Sequence, residues 1–153
     1  MISFELHGQP TGWQRSGLRV VTPKGKKPFA TIYTPAETRK YQDALAWAAK
    51  AAMRAKAPFD GPLELTVTAF MAVPPSWPQK KRDAALAGIV RPTGKPDADN
   101  FLKQIDALKG ITWKDDAQIV DARIVKRYDE RPRLRIDIKP CTTSENLLDL
   151  DRG

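Results

Sequence analysis

The chain has 153 residues, 41% of them hydrophobic, enough for one domain with a modest core and not for two. A single cysteine, Cys141, excludes an intrachain disulfide, and a single histidine, His7, excludes a multi-histidine site, so zinc is not expected. Lysine and arginine number 26 against 18 acidic residues, a formal charge of +8 that points to a polyanionic partner, nucleic acid foremost.

Apolar runs break well before the roughly 18 residues of a membrane span, and the N-terminal MISFELHGQP lacks the basic start and apolar middle of a signal peptide. A soluble, cytoplasmic protein with no membrane partner is therefore expected. In ISFELHG, Ile2, Phe4 and Leu6 alternate with polar residues and predict a half-buried strand. Residues 9–27, rich in Gly, Pro and basic side chains, predict a loop or loose hairpin that holds Arg15, Arg19, Lys24, Lys26 and Lys27; no acid falls between Gln14 and Lys27. FATIYTP returns to β character. Thr34 as N-cap, Pro35 at the first helical position and Glu37 placed as in a capping box predict a helix to about Lys56, with Tyr41, Leu45, Ala48 and Ala52 as its core stripe.

Leu63, Leu65, Val67, Ala69 and Met71 alternate and predict a second strand. Prolines then force a turn, and SWPQKKRDAALAG predicts a short helix carrying Lys80, Lys81 and Arg82 and stopped by Gly88. VRPTGKP is a loop. QIVDARIVKRY and RLRIDIKP read as two strands joined around Asp129 to Pro132, and the tail 140–153 has no period and is expected to be loose.

Between the Lys/Arg-rich helix and those strands lies KPDADNFLKQIDALKG, followed by WKDD. Asp99 or Asn100 suits the cap of a helix whose apolar face is Phe101, Ile105 and Leu108 and whose terminator is Gly110. On that helix Asp99, Lys103 and Asp106 share one face, and Asp97, still extended, can point the same way. Carboxylates held together repel one another unless a cation neutralises them. Oxygen ligands without histidine or cysteine suit Mg2+ or Mn2+, which leave coordination sites for water and substrate phosphate. Lys103 would then lie one turn away, placed to hold a phosphate oxygen.

Each feature also has an ordinary structural reading. Aspartates cap helices, Lys103 and Asp106 can form a surface pair worth about 0.2–0.5 kcal/mol, and KDD is commonly a solvated turn. His7 fits a surface strand, Trp113 fits the core, and the basic segment fits a solvated loop.

The full string KPDADNFLKQIDALKGITWKDDAQIVDARIVKRY resembles the RusA family of Holliday junction resolvases: an Asp-x-Asp-Asn opening a helix, a lysine one turn on, an Asp-Ala-Leu segment, and an Asp-Asp-x-Gln before a strand. YTPAETRKYQDAL resembles the family's first helix, and PPSWPQKKRDAALAG is similar to an insertion in many phage-associated members. The resemblance implies that Asp97, Asp99 and Asp116 are metal ligands and that Lys103 is the lysine required for catalysis after DNA is bound. Asn100, Asp106 and Asp115 match supporting positions. Ala98, where many members carry leucine, is a departure that concerns packing.

The resulting expectation is an α+β single domain, a mixed β-sheet flanked by helices over residues 1–139. The resemblance further implies a homodimer that uses Mg2+, with Mn2+ as a substitute, to cut two opposed strands of four-way junction DNA. Arg15, Arg19, Lys24, Lys26, Lys27, Lys80, Lys81 and Arg82 are the candidate phosphate contacts. A metal-dependent nucleotide phosphohydrolase and a non-catalytic basic DNA-binding module are the competing readings; the long basic loop disfavours the first and the clustered acids the second.

Overall fold

A computed structural model describes residues 1–14, 17–33 and 35–141. Strand β1, Ile2–His7, is the strand read from its alternation, with Phe4 buried. Strands β2, Gly17–Val21, and β3, Phe29–Tyr33, pair antiparallel as a separate two-stranded ribbon, so the loose hairpin is real and its turn carries Lys24, Lys26 and Lys27. Helix α1 spans Ala36–Met53, β4 Leu63–Ala72, α2 Gln79–Leu86, α3 Ala98–Gln104, β5 Ile119–Asp129 and β6 Arg133–Pro140.

The main sheet has the order β1-β6-β4-β5, with β4 and β5 parallel and the other neighbours antiparallel. It is a mixed sheet with helices packed against it, as expected of the α+β class. Leu63, Leu65, Val67, Ala69 and Met71 of β4 bury one face together with Leu134, Ile136 and Ile138 of β6. Against it lie Leu45 and Ala49 of α1, while Phe101, Ile105, Leu108 and Trp113 complete the same core. In β5 the pairing shifts between Leu63–Ile119 and Glu64–Asp121, leaving Val120 as an extra residue; this bulge keeps Ile119, Ile124 and Tyr128 all on the core side.

Two helix boundaries differ from the sequence reading. Helix α1 begins at Ala36 with Pro35 at the cap position, and it ends at Met53, where Arg54 turns left-handed with φ 49°. Thr34, the expected cap, lies outside the described residues. The buried line of α1 is Thr38, Leu45, Ala49 and Met53, with Tyr41, Ala48 and Ala52 packed at its rim. The alanine-rich sequence places small residues on neighbouring faces, so periodicity alone does not choose between Ala48 and Ala49. Helix α3 starts two to three residues earlier than read: Asp97 is the cap residue, extended at φ −71° and ψ 157°, with no side-chain capping bond. The element tightens into a 3-10 turn over Ile105–Leu108 and still buries Phe101, Ile105 and Leu108 as anticipated.

Strand β6 takes in Pro140 of the expected tail, and the Cys141 N–H donates to the Pro62 carbonyl at 2.9 Å; residues 142–153 lie outside the described residues. Among the described residues, no helix is long and apolar enough to cross a membrane.

Candidate active site

The loop from α2 to α3 crosses the flank of β5, where the Lys126 ammonium donates to the Gly94 carbonyl at 2.6 Å. It delivers Asp97 and Asp99 to the first turn of α3. The carboxylate of Asp97 lies 3.6 Å from Lys95 Nζ, and that of Asp99 lies 3.6 Å from Lys103 Nζ, one turn along the helix. All four side chains are exposed, and pairs of this kind contribute about 0–1 kcal/mol, so a phosphate or another cation can displace either partner.

The third acid comes from a different element. Asp116 opens a 3-10 turn, Asp116–Gln118, just before β5. Asp115 caps this turn by accepting from the Ala117 N–H at 3.0 Å, and Gln118 Oε1 accepts from the N–H groups of Asp115 and Lys114 at 3.0 and 2.9 Å. The Gln118 amide also donates to the Phe59 and Gly61 carbonyls at 2.8 and 3.1 Å, stapling the turn beside the start of β4. In Asp-Asp-Ala-Gln, then, Asp115 and Gln118 build the turn, and the Asp116 side chain takes no part in its bonds. One Asp116 oxygen accepts from the indole N–H of fully buried Trp113 at 2.7 Å, a charge-assisted bond that fixes its direction.

A cleft of about 510 Å³ brings together Lys103, Asp106 and Asp116 with Trp13, Leu102, Ile105 and Ile119. Asp97 and Asp99 do not line it, and among the described residues no three acidic, histidine or cysteine side chains gather as a cation site. The all-oxygen donor set has the chemistry that Mg2+ or Mn2+ prefers. Its arrangement is not converged, because Asp97 and Asp99 turn to lysines. Asn100 contributes its backbone carbonyl, which accepts from the Trp13 N–H at 3.3 Å.

Among the described residues, none of the basic candidates lines this cleft except Lys103. The Arg19 guanidinium lies 4.9 Å from the Tyr33 ring centroid, and Lys24, Lys26 and Lys27 are exposed. Arg15 lies outside the described residues. Lys80 is exposed, Arg82 half-buried, and Lys81 Nζ sits 3.9 Å over the Trp77 ring, which meets Tyr128 edge to face.

A further basic surface was not read from the sequence. The sheet face opposite the core carries Arg123 and Arg127 of β5, Arg135 of β6 and Arg91 from the loop, around Thr66 and Thr68. Arg135 is paired with Asp137 at 3.2 Å, whereas Arg91, Arg123 and Arg127 are exposed and have no ion pair among the described residues. The signal was present in DARIVKRY: if Ile124 faces the core, Arg123, Val125 and Arg127 must face away. The half-buried Trp13 also went unread, having no periodic neighbours to mark it.

A fold of this kind, with acids at the head of α3, a lysine one turn on and an Asp-Asp-Ala-Gln turn before a parallel strand, belongs to a class of enzymes that cut DNA. A family model described as Endodeoxyribonuclease RusA matches residues 7–139, and the chain belongs to that family. It is 33% identical over 142 residues to the crossover junction endodeoxyribonuclease rusA of Lactococcus phage r1t, covering 88% of this chain and 93% of that protein. It is also 32% identical over 143 residues to the uncharacterized protein YqaN of Bacillus subtilis strain 168, covering 90% and 95%.

Proposed function

We propose that this endodeoxyribonuclease resolves four-way DNA junctions by metal-dependent cleavage of two opposed strands, in the cytoplasm of a bacterial host and in a prophage setting. The observation that carries the reading is the single cleft in which Lys103 and Asp116 meet, one helical turn from Asp99, in a chain of the RusA family. Asp97, Asp99 and Asp116 are the proposed ligands. A bound Mg2+, or Mn2+ in its place, supplies an activated water and neutralises phosphate charge.

Lys103 is the group proposed to act on the phosphate itself. Its ammonium already faces a carboxylate, and moving to a phosphoryl oxygen exchanges one anion for another at little cost in the exposed site. There it stabilises negative charge that builds during displacement. Asp115 and Asn100 support this placement through the turn and the loop described above, and Asp106 adds negative charge at the cleft rim. The exposed arginines 91, 123 and 127, the ribbon residues Arg19, Lys24, Lys26 and Lys27, the α2 group Lys80, Lys81 and Arg82, and Arg15 are proposed to hold phosphates of the junction arms. Such contacts favour junction shape over base sequence.

Paired cleavage requires two sites in matching orientation, which a two-fold homodimer supplies. The domain is proposed to span residues 1–139, completed by Pro140 at the end of β6. Incubation of the protein and Mg2+ with a synthetic four-way junction, a linear duplex and nucleoside triphosphates tests the reading. Paired nicks confined to the junction are expected, and release of phosphate from the triphosphates without junction cleavage would overturn it. Mixtures of wild-type and Asp99→Asn subunits should nick one strand and rarely complete the pair.

A further inference from the structure

We propose that the cleft beside Lys103 is a binding site for one unpaired nucleobase, which stacks on the indole of Trp13 while the phosphate of its nucleotide meets Lys103. The inference rests on the nuclease reading for the position of that phosphate and adds to it a device for recognising DNA out of its stack.

The support comes first from how Trp13 is held. It lies in an irregular segment, yet each of residues 11–14 is anchored to a helix or its approach. The buried Gln104 amide of α3 donates to the Thr11 carbonyl at 3.0 Å. Gly12 lies so close to the approach to α3 that a Cβ there would be 2.5 Å from the Pro96 Cβ. The Trp13 N–H donates to the Asn100 carbonyl at 3.3 Å, and the Gln14 N–H donates to Thr38 Oγ1 of α1 at 3.2 Å. An indole on so constrained a backbone is pre-organised, and a partner that stacks on it loses little to ordering the protein.

The second support is the make-up of the cleft. Trp13, Leu102, Ile105 and Ile119 provide apolar lining, and Lys103, Asp106 and Asp116 provide the polar part. A nucleotide has that same division, an apolar ring face joined to an anionic phosphate. Lys103 Nζ lies 5.1 Å from the Trp13 ring centroid, so a phosphate on the lysine leaves the attached base within reach of the indole. The cleft volume of about 510 Å³ falls within the range of small-molecule sites.

A base inside a continuous duplex cannot enter such a cleft, because its faces are covered by its neighbours. Extrusion costs least where stacking is already interrupted, as at the exchange point of a junction. Stacking on an aromatic ring is tolerant of base identity, since every base has a π-face. The site therefore selects for unstacked DNA without selecting a base.

The test uses the full-length protein and variants Trp13→Phe and Trp13→Ala, each checked for an unchanged circular dichroism spectrum. The first probe is a single-stranded hexadeoxyadenylate at fixed salt without metal. Wild-type tryptophan fluorescence should show saturable quenching that is missing in Trp13→Phe, where Trp47, Trp77 and Trp113 remain. Trp13→Ala should bind the oligonucleotide about 5- to 150-fold more weakly, with Trp13→Phe retaining most of the affinity. The second probe is a junction with 2-aminopurine walked across the exchange point, where one position should be quenched by wild type and not by Trp13→Ala. Equal quenching and equal oligonucleotide affinity in all three proteins would overturn the base site, even if Trp13→Ala cut junctions more slowly through a displaced Lys103. Failure of the nuclease reading is separable: it appears as absence of junction cleavage by wild type, while the oligonucleotide measurements still decide the fate of the base site.

Discussion

Replacing Trp113 by Phe removes one hydrogen bond at the candidate centre while keeping an aromatic ring in the core. The indole N–H is 2.7 Å from Asp116, and Trp113 is fully buried, so the bond joins a buried donor to an exposed acceptor. A hydrogen bond to a charged group is worth about 1.5–3 kcal/mol, but exposed Asp116 can recover part of this from water. The smaller ring adds a packing loss, and together a destabilisation of about 1–3 kcal/mol is expected. The functional effect should be separate from this. Loss of a group that orients a metal ligand typically weakens metal affinity about 10- to 100-fold. The Mg2+ concentration for half-maximal junction cleavage should therefore rise by that factor, with saturated turnover much less affected. Chemical denaturation supplies the stability change, and Mg2+ titration of cleavage supplies the affinity change. If the midpoint in Mg2+ stays unchanged while stability falls, either Asp116 is no ligand or its orientation does not depend on Trp113.

Four further outcomes are expected. Asp97→Asn, Asp99→Asn and Asp116→Asn should each abolish cleavage and leave junction binding equal or tighter in a gel-shift assay, since a negative charge facing phosphate is removed; near-normal cleavage strikes that residue from the site. Lys103→Ala should lower turnover far more than affinity, by the order of 2.7–4 kcal/mol seen for preorganised donors, and equal losses in both would make it an ordinary phosphate-binding residue. Neutralising Arg91, Arg123 and Arg127 together should reduce the salt slope of binding by roughly 0.9 for each phosphate that is no longer neutralised, and the same measurement on Lys24, Lys26 and Lys27 decides whether the ribbon turn touches DNA or is only solvated. Burial pushes the Tyr41 hydroxyl up to about 12, with the nearby Thr11 backbone pulling the other way. The neutral phenol thus contributes its full stability below pH 10 and loses it as the pH climbs to 12. The stability advantage of wild type over Tyr41→Phe should fall by about 2–3 kcal/mol across that window in denaturant titrations, and a flat difference would refute the burial argument.

Alternation made the strands legible: Leu63 to Met71 buries every second residue, and Leu134, Ile136 and Ile138 of β6 follow the same rule, whereas the bulge at Val120 interrupts it in β5. Gly88 and Gly110 carry positive φ where helix ends were read. What remained hidden depends on contacts between distant segments. Nothing local in Gly-Trp-Gln predicts that Thr11 meets Gln104 or that Gly12 meets Pro96. Nor does WKDD announce that one acid would cap a turn while its neighbour meets a buried indole. The cap of α3 was misplaced because Asp97, Asp99 and Asn100 are all good caps by type, and only the backbone leaving Pro96 selects Asp97.

Among the described residues β6 is the last strand made, and it stands between β1 and β4. While the polypeptide is being synthesised, β1 has no neighbour to pair with and β4 can pair only with β5. Every proposed catalytic side chain, from Asp97 to Asp116, emerges before residues 133–140 do. Translation halted between Gln118 and Arg133 would thus release a polypeptide that holds all of these groups and lacks the strand that joins the two parts of their platform. Such a fragment should be cleared by proteases as an unfolded chain, so the catalytic groups gain their platform only once residues 133–140 have been made.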